Sequence, residues 1–374
     1  MARRGRGIQL LLALLLAGPW WAVLGIAPAS ACASGAFASP ADQRVDTVVT
    51  QETAVLSHRD GVETMIMSLD VAFDAAGTTI IMPTPSVPTV TAGSADTLDE
   101  MAVATAPREK VEHTIWGSLL AGSGSGGDAA APGATQGVTV HQQARIGDVE
   151  VAVLDGSVDG VTAWLGENGF ALPDTVAAEL PAYVADGWTF TAVRLADGVE
   201  ITGRMDPLRL DFPSETLVYP MRMSHAAGND QMIHLFLIGD EAYRRTDAAA
   251  SSQTTERPWV ADPYEQGHTW SDPVLREMTG YDPTATYDPE EGPAMVTEFV
   301  VTAAPETITT DFVFEPDPGA AELVPTYTVT EVITVAGIPV GYLLVLGGVV
   351  VSALLVAAAA AFVIVRLTRP RARS

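Results

Sequence analysis

The chain of 374 residues contains very little cysteine and lysine. Its single cysteine, Cys32, has no partner for an internal disulfide, so stability must come from an ordinary hydrophobic core. Of the 20 basic residues, three arginines precede Cys32 and four follow Val335, which leaves 13 between these two positions. All 46 acidic residues lie in the same segment, so its net charge is −33. A surface this acidic repels a phosphate backbone, which excludes nucleic acid as a partner.

Recognisable catalytic motifs are also lacking. There is no G-x-S-x-G and no H-E-x-x-H, and the histidines are scattered along the chain. They are His58, His113, His141, His225, His234 and His268. We therefore assign no catalytic, cofactor-binding or metal-binding residue and no cofactor from the sequence. A hydrolase with dispersed active-site residues stays the alternative, because a catalytic triad is defined in space and not along the chain.

Two residue clusters have metal-ligand chemistry but no ligand spacing. Calcium prefers carboxylate oxygens, and copper accepts thioethers. The candidates are Asp282, Asp288, Glu290 and Glu291 for calcium, and the pairs Met65 with Met67 and Met221 with Met223 for copper. The acidic loop fits no EF-hand, and at strand spacing each methionine pair shares one face, so composition and core packing are the simpler explanations.

Aromatic side chains at the predicted ends of elements have two interpretations. They could line a ligand groove, or they could anchor the core, which is the more common use of such residues. The residues are Trp164, Tyr183, Trp188, Phe190 and Tyr219. We expect core anchors.

A long apolar run near the N-terminus predicts secretion. Arg3, Arg4 and Arg6 precede the apolar segment from Ile8 to Leu16, and Ala29-Ser30-Ala31 has the small residues that signal peptidase accepts. The sequence therefore predicts a signal peptide over 1–31. Lipidation of Cys32 and an uncleaved signal anchor are the alternatives.

A second apolar run predicts a membrane anchor. Val340 to Val365 carries no charge, and a helix needs about 20 such residues to cross a bilayer. Four arginines follow within 366–374, and clustered basic residues stay in the cytoplasm. We predict a stem over 318–337, a transmembrane helix over 338–365 and a basic cytoplasmic tail, which makes a single-pass type I protein of the cell membrane with its body outside the cytoplasm.

The segment between these runs has the pattern of an α+β domain. Apolar residues alternate from Met65 to Phe73, which is typical of a half-buried antiparallel strand, and further strands are predicted on both sides of short helices capped by Ser94 and Ser157. Residues 117–137 are too rich in glycine, serine and alanine to pack and predict a flexible insertion. Four Asp-Pro pairs predict turns in an irregular stretch from Gly239 to Gly292.

Six segments resemble a known family. They are Ala31 to Gln43, Ile80 to Pro88, Trp164 to Phe170, Tyr183 to Phe190, Leu217 to Ser224 and Thr310 to Phe314. Together they resemble the bacterial exported family called domain of unknown function 2330. The resemblance implies one continuous extracytoplasmic domain over 32–317 and brings no established activity, ligand or catalytic residue. The sequence thus favours an acidic, membrane-anchored binding or sensing module of the cell envelope, with an unidentified envelope protein as a possible partner on the helix face of Gly341, Gly347, Gly348 and Ser352.

Overall fold

The computed structural model describes residues 31–32, 34–40, 48–72, 78–116, 143–146, 149–154, 157–195, 202–284 and 294–368. The predicted signal peptide up to residue 30, the predicted insertion, three of the four calcium candidates (Asp288, Glu290 and Glu291) and the end of the basic tail lie outside the described residues.

Strands account for most of the regular structure. In the first half of the chain they are β1 Ala31–Cys32, β2 Gly35–Pro40, β3 Val48–Arg59, β4 Val62–Ala72, β5 Thr79–Thr84, β6 Thr89–Ala92, β7 Arg108–Thr114, β8 Gln143–Ile146, β9 Val149–Leu154, β10 Phe170–Ala171 and β11 Thr189–Leu195. In the second half they are β12 Thr202–Arg204, β13 Leu208–Pro213, β14 Leu217–Tyr219, β15 Gln231–Gly239, β16 Tyr243–Arg245, β17 Thr254–Glu256, β18 Val260–Ala261, β19 Met295–Ala303, β20 Phe312–Pro316, β21 Thr326–Val332, β22 Thr334–Val335 and β23 Ile338–Pro339.

The helices are short except for the last. They are α1 Ala95–Ala104, α2 Val158–Glu167, α3 Asp174–Ala177, α4 Leu180–Ala185, α5 Pro273–Thr279 and α6 Val340–Thr368. Three-ten turns occupy Arg222–Ala226, Ala250–Ser252 and Pro305–Thr307.

The chain forms two compact units. The large unit comprises Met1–Thr105 and Ala134–Leu323, and the anchor unit comprises Ala106–Gly133 and Val324–Ser374. Within the described ranges, the large unit holds a seven-stranded sheet ordered β1-β2-β5-β11-β9-β8, with β10 beside β2. It also holds a nine-stranded sheet ordered β17-β19-β15-β3-β4-β13-β6, with β12 and β18 at its sides, and a three-stranded sheet ordered β14-β20-β16.

Among the described strands of the large unit, pairing is antiparallel except between β15 and β3. The main core lies between the sheets and contains Met65, Met67 and Leu69 of β4 together with Ile80 and Met82 of β5. Successive strand residues point to opposite faces, so the intervening Ile81 belongs to a second core, where helices α2 and α4 cover the other face of the seven-stranded sheet. The predicted α+β class with a mostly antiparallel sheet is confirmed.

Two serine side chains cap the starts of helices at the predicted places. The Ser94 side chain accepts a hydrogen bond from Asp96 N at the start of α1, and Ser157 accepts one from Gly160 N at the start of α2. Gly169, with φ of 85°, follows the end of α2.

Two local expectations were wrong. The apolar pattern from Leu217 to Met223 predicts one strand, but the strand ends at Tyr219, because Pro220 has no amide hydrogen for the ladder, and a three-ten turn follows. The stretch from Gly239 to Gly292 was predicted irregular but contains β16, β17, β18 and helix α5. Asp272, predicted as a turn initiator, caps α5 through Val274 N and Leu275 N, both at 2.9 Å.

Within the described ranges, the anchor unit contains helix α6 and the four strands β7, β21, β22 and β23. The pair β21 and β7 is parallel, with Tyr327 opposite Glu109, and β22 pairs antiparallel with β23. Helix α6 begins at Val340, two residues after the predicted start, and is long and apolar enough to cross a membrane over Val340–Arg366. No residue of its most apolar window is buried by the rest of the described chain, unlike the core helix of a soluble protein.

Candidate ligand-binding cleft

An open cleft of about 880 Å³ lies in the large unit. Three turns supply about half of its lining: residues 214–216 between β13 and β14, residues 186–188 between α4 and β11, and residues 309–311 before β20. Its polar lining residues are Asp186, Ser214, Glu215, Thr216, Arg222, Asp247, Thr309, Thr310 and Asp311, and Trp188, Val218 and Val313 contribute apolar surface.

Arg222 is the central cation of the cleft. It begins the three-ten turn after Pro220, and its guanidinium donates to Asp311 Oδ2 at 2.6 Å and to Asp186 Oδ2 at 2.7 Å. The same group lies 4.2 Å from the ring centroid of Tyr183 and 5.4 Å from that of Trp188. Burial alone would lower the pKa of Arg222, but the neighbouring Asp311 and Asp186 carboxylates hold it above its ordinary value. Two carboxylates and two rings therefore fix this side chain.

Asp311 organises the floor of the cleft. Its Oδ1 accepts hydrogen bonds from the backbone amides of Met221 at 2.8 Å and Arg222 at 3.1 Å and from the Tyr183 hydroxyl at 2.9 Å. Burial, together with the charge of Asp311, raises the pKa of Tyr183 well above its ordinary value, so this hydroxyl stays a hydrogen-bond donor.

A second ion pair supports the cleft through Asp247. Arg245 Nη2 lies 2.8 Å from Asp247 Oδ1, and the two side chains are only 3% and 1% exposed. The Thr310 hydroxyl donates to Asp247 at 3.2 Å, and the Arg245 guanidinium lies 3.7 Å from the centroid of Phe312. Asp247 is thus already neutralised by a cation of the protein.

The lining retains negative charge after these pairings. Asp186 and Asp311 share one arginine, and Glu215 at the rim is exposed. The side chain of Asp186 is 52% exposed, so it can still meet a ligand. The cleft therefore offers carboxylate and hydroxyl oxygens to a ligand. The electrostatic field of the acidic protein also attracts cations.

Two fully buried carboxyl groups lie in the core near the cleft. Glu63 Oε2 accepts a hydrogen bond from the amide of Val218, a cleft residue, and its Oε1 has no partner among the described residues. Glu52 accepts hydrogen bonds from Ser34 N at 2.9 Å and from the Tyr219 hydroxyl. Burial raises the pKa of both carboxyl groups, most strongly that of Glu63.

The described histidines do not gather at the cleft. His225 pairs with Glu179 at 3.0 Å, His234 with Glu298 at 2.6 Å, His113 with Glu331 at 3.5 Å and His268 with Glu100 at 3.3 Å. His58 bonds the Ser214 carbonyl at 2.8 Å and lines a second cleft of about 450 Å³ with Arg59, Asp240 and Tyr243. Each of these five histidines is thus tied to a different part of the fold, and His141 lies outside the described residues.

The described copper and calcium candidates from the sequence lie in the core or in a local turn. Met65 and Met67 share the main core as predicted, but Met221 and Met223 lie in different cores, because a three-ten turn and not a strand carries Met223. The Asp282 side chain accepts hydrogen bonds from Thr284 of its own turn. Among described residues no acidic, histidine or cysteine cluster has the geometry of a metal site.

The aromatic residues divide between core and cleft. Tyr183, Phe190 and Tyr219 are fully buried, as expected for core anchors, and Trp164 packs against the second core. Trp188 also packs there and lines the cleft as well.

Comparison with known proteins identifies a family. Residues 28–315 match the family described as uncharacterized protein conserved in bacteria (DUF2330). The chain belongs to the DUF2330 family. No curated protein matches it. A crystal structure of baculovirus P35 is 7% identical over 73% of this chain and 97% of that chain, with a TM-score of 0.34, which is too low for any conclusion about fold or function.

Three of the segments that resemble DUF2330 meet at the cleft. Tyr183 to Phe190 supplies Tyr183, Asp186 and Trp188. Leu217 to Ser224 supplies Arg222, and Thr310 to Phe314 supplies Asp311. Residues separated by more than a hundred positions in the DUF2330 chain are thus joined in one hydrogen-bonded network.

Sequence reasoning did not single out Arg222, Asp311, Glu52 or Glu63 as site residues. Arg222 and Asp311 each lie inside a segment that resembles the family, and this was the available signal. Glu52 and Glu63 occupy apolar-facing positions of strands β3 and β4, where a carboxylate breaks the alternation of the pattern.

Proposed function

We propose that this DUF2330 protein is a membrane-anchored binding module whose cleft takes a cationic ligand outside the cytoplasm. The observation that carries the proposal is the Asp186–Arg222–Asp311 network, which fixes the cleft wall and leaves it negative. A site built in advance loses little entropy when it binds a ligand.

The topology of the proposal rests on the two ends of the sequence. Helix α6 is long and apolar enough to anchor the chain, and Arg366 opens the basic segment that would stay in the cytoplasm. The signal peptide over 1–31 would then export the domain of 32–317. A net charge of −33 also repels anionic lipid, which supports a body that stays in solution above the membrane.

A protease experiment tests the topology. Trypsin added to intact cells should cleave the large unit while an epitope attached after Ser374 stays protected inside. Permeabilised cells should lose the epitope as well. If the epitope is cleaved in intact cells and the large unit is protected, the orientation is wrong.

Calorimetry tests the ligand class with full-length protein in detergent. Tri-lysine and spermidine serve as cationic probes, and tri-glutamate is the acidic control. We expect the cations to bind, with affinity falling as salt rises. Glu215→Gln and Asp186→Asn should each weaken binding about five- to tenfold, a loss of about 1 kcal/mol. Glu265→Gln, at an exposed residue that does not line the cleft, is the matched control. Equal binding of tri-glutamate, or no effect of either cleft variant, would overturn the cationic ligand.

The hydrolase alternative predicts that His225, His234 and acidic side chains cluster in one concave pocket. His225 and His234 bond to Glu179 and Glu298 and are not among the lining residues of either cleft. The described geometry therefore favours binding over catalysis.

A further inference from the structure

We propose that Trp116 is a second membrane contact of this protein and lies in the lipid headgroup region beside the start of helix α6. The inference rests on the proposed membrane anchor. Under this proposal the bilayer is contacted by α6 and also by Trp116, at the end of residues 108–116, a segment far from α6 in sequence.

Strand pairing brings this segment to the helix. All seven residues of β7 pair in parallel with β21, from Arg108 opposite Thr326 to Thr114 opposite Val332. The ladder extends at its end through Ile333 N, which donates to Thr114 O at 2.8 Å, and Val340 N, which donates to Ile333 O at 3.0 Å. The end of β7 is thereby bonded to the same short connection that leads into α6.

Close packing then fixes Trp116 against the first turn of α6. Gly341 N donates to Ile115 O at 2.7 Å, and the Trp116 ring covers the α-carbon of Gly341. A Cβ at residue 341 would lie 2.6 Å from Trp116 Cε3 and 2.7 Å from Ile115 O, closer than real Cβ contacts. Only glycine permits this approach, whereas Gly347 and Gly348 have no such neighbour within 4 Å.

The surface formed in this way is aromatic and exposed. Trp116 and Tyr342 meet edge to face with ring centroids 5.8 Å apart, and they are 52% and 39% exposed. Trp and Tyr concentrate at the boundary between lipid tails and water, because one side of each ring is apolar and the other carries a hydrogen-bonding group. Tyr342 is the third residue of α6, so a bilayer crossed by α6 places its outer boundary at this pair.

Quenching by brominated lipids tests the position of Trp116. Full-length protein is reconstituted into nanodiscs whose lipids carry bromine either near the headgroup or near the bilayer centre. We expect tryptophan emission to be quenched more by the shallow bromines, and we expect Trp116→Phe to lose this quenched component. Trp164→Phe, in α2 of the large unit, is the matched control and should retain it.

Two glycine variants, in which Trp116 itself is retained, provide an independent measurement. Gly341→Ala should push the ring away and reduce the shallow quenching, whereas Gly348→Ala should leave it unchanged. If Trp116→Phe retains all of the lipid quenching while the protein floats with the membranes, the headgroup position of Trp116 is refuted and the anchor stands. If the protein fails to float with membranes at all, the anchor itself is refuted and this inference falls with it.

Discussion

Glu63 and Glu52 are two carboxyl groups without solvent exposure, and both point into the main core from the β3–β4 hairpin. Burial penalises their charged forms, so the pKa of each is raised above the ordinary value of 4.5. Between the ordinary and the raised pKa, the folded chain binds more protons than the unfolded chain. The free energy of unfolding therefore falls as pH rises through this window.

Glu63→Gln should remove its share of this pH dependence. The amide has the same shape and can still accept the Val218 hydrogen bond, but it carries no charge at high pH. We expect the slope of unfolding free energy against pH, measured by urea denaturation above pH 4.5, to become less negative by up to about 1.4 kcal/mol per pH unit. Glu215→Gln, at the exposed cleft rim, should leave the slope as it is; an unchanged slope in Glu63→Gln would contradict the prediction.

Arg222 and Arg244 allow a comparison of the stability lost when a buried ion pair and an exposed ion pair are removed. Arg222 is 18% exposed and bonds Asp311, which is 8% exposed, whereas Arg244 and Glu315 are each about half exposed. Arg222→Ala leaves a buried carboxylate without its cation and should cost about 3 kcal/mol of stability. Arg244→Ala should cost about 0.5 kcal/mol. Equal losses in chemical denaturation would show that burial does not decide this difference.

Strand β2 depends on a close approach at Gly35. A Cβ at this residue would overlap the carbonyl oxygen of Ile81 in the neighbouring strand β5, and a backbone atom cannot turn aside as a side chain can. Gly35→Ala should therefore destabilise the large unit by about 1 to 3 kcal/mol.

Helix α2 offers the control for Gly35. Gly166 lies inside this helix with open space around its Cα, so Gly166→Ala should stabilise the protein by about 0.5 to 1 kcal/mol. The two melting temperatures should shift in opposite directions. A rise in both would show that β2 adapts to the larger residue.

Elements with one buried face were predictable from the sequence, and elements without one were not. Strand β4 alternates because Met65, Met67 and Leu69 fill the core, and it was predicted as such. Strand β7 has the sequence R-E-K-V-E-H-T and is exposed or half-exposed along its whole length, so it has no apolar period to detect. The cleft escaped prediction for a related reason: Arg222 and Asp311 meet only through tertiary packing, in turns that have no regular pattern.

The charge of the whole molecule makes its stability depend on salt. The mutual repulsion within a body of charge −33 is screened when the Debye length falls from about 30 Å at 10 mM salt to about 3 Å at 1 M. We expect the melting temperature of the full-length protein in detergent to rise by several degrees over this range of sodium chloride.

Calcium at matched ionic strength distinguishes screening from a specific site. Screening alone predicts equal melting temperatures in magnesium chloride and calcium chloride. A larger rise with calcium, lost in Glu290→Gln or Glu291→Gln, would instead support calcium binding by this acidic cluster, for which composition is the simpler explanation from the sequence.

The parallel pair β7–β21 sets the order in which the molecule is completed. Glu109 and its partner Tyr327 are 218 residues apart, and a ribosome adds about 5 to 20 residues per second. β7 therefore leaves the ribosome about 10 to 40 s before the strand that it needs. The β7–β21 pair of the anchor unit can therefore form only after β21 has been synthesised, and a polypeptide truncated before β21 leaves β7 without its partner strand.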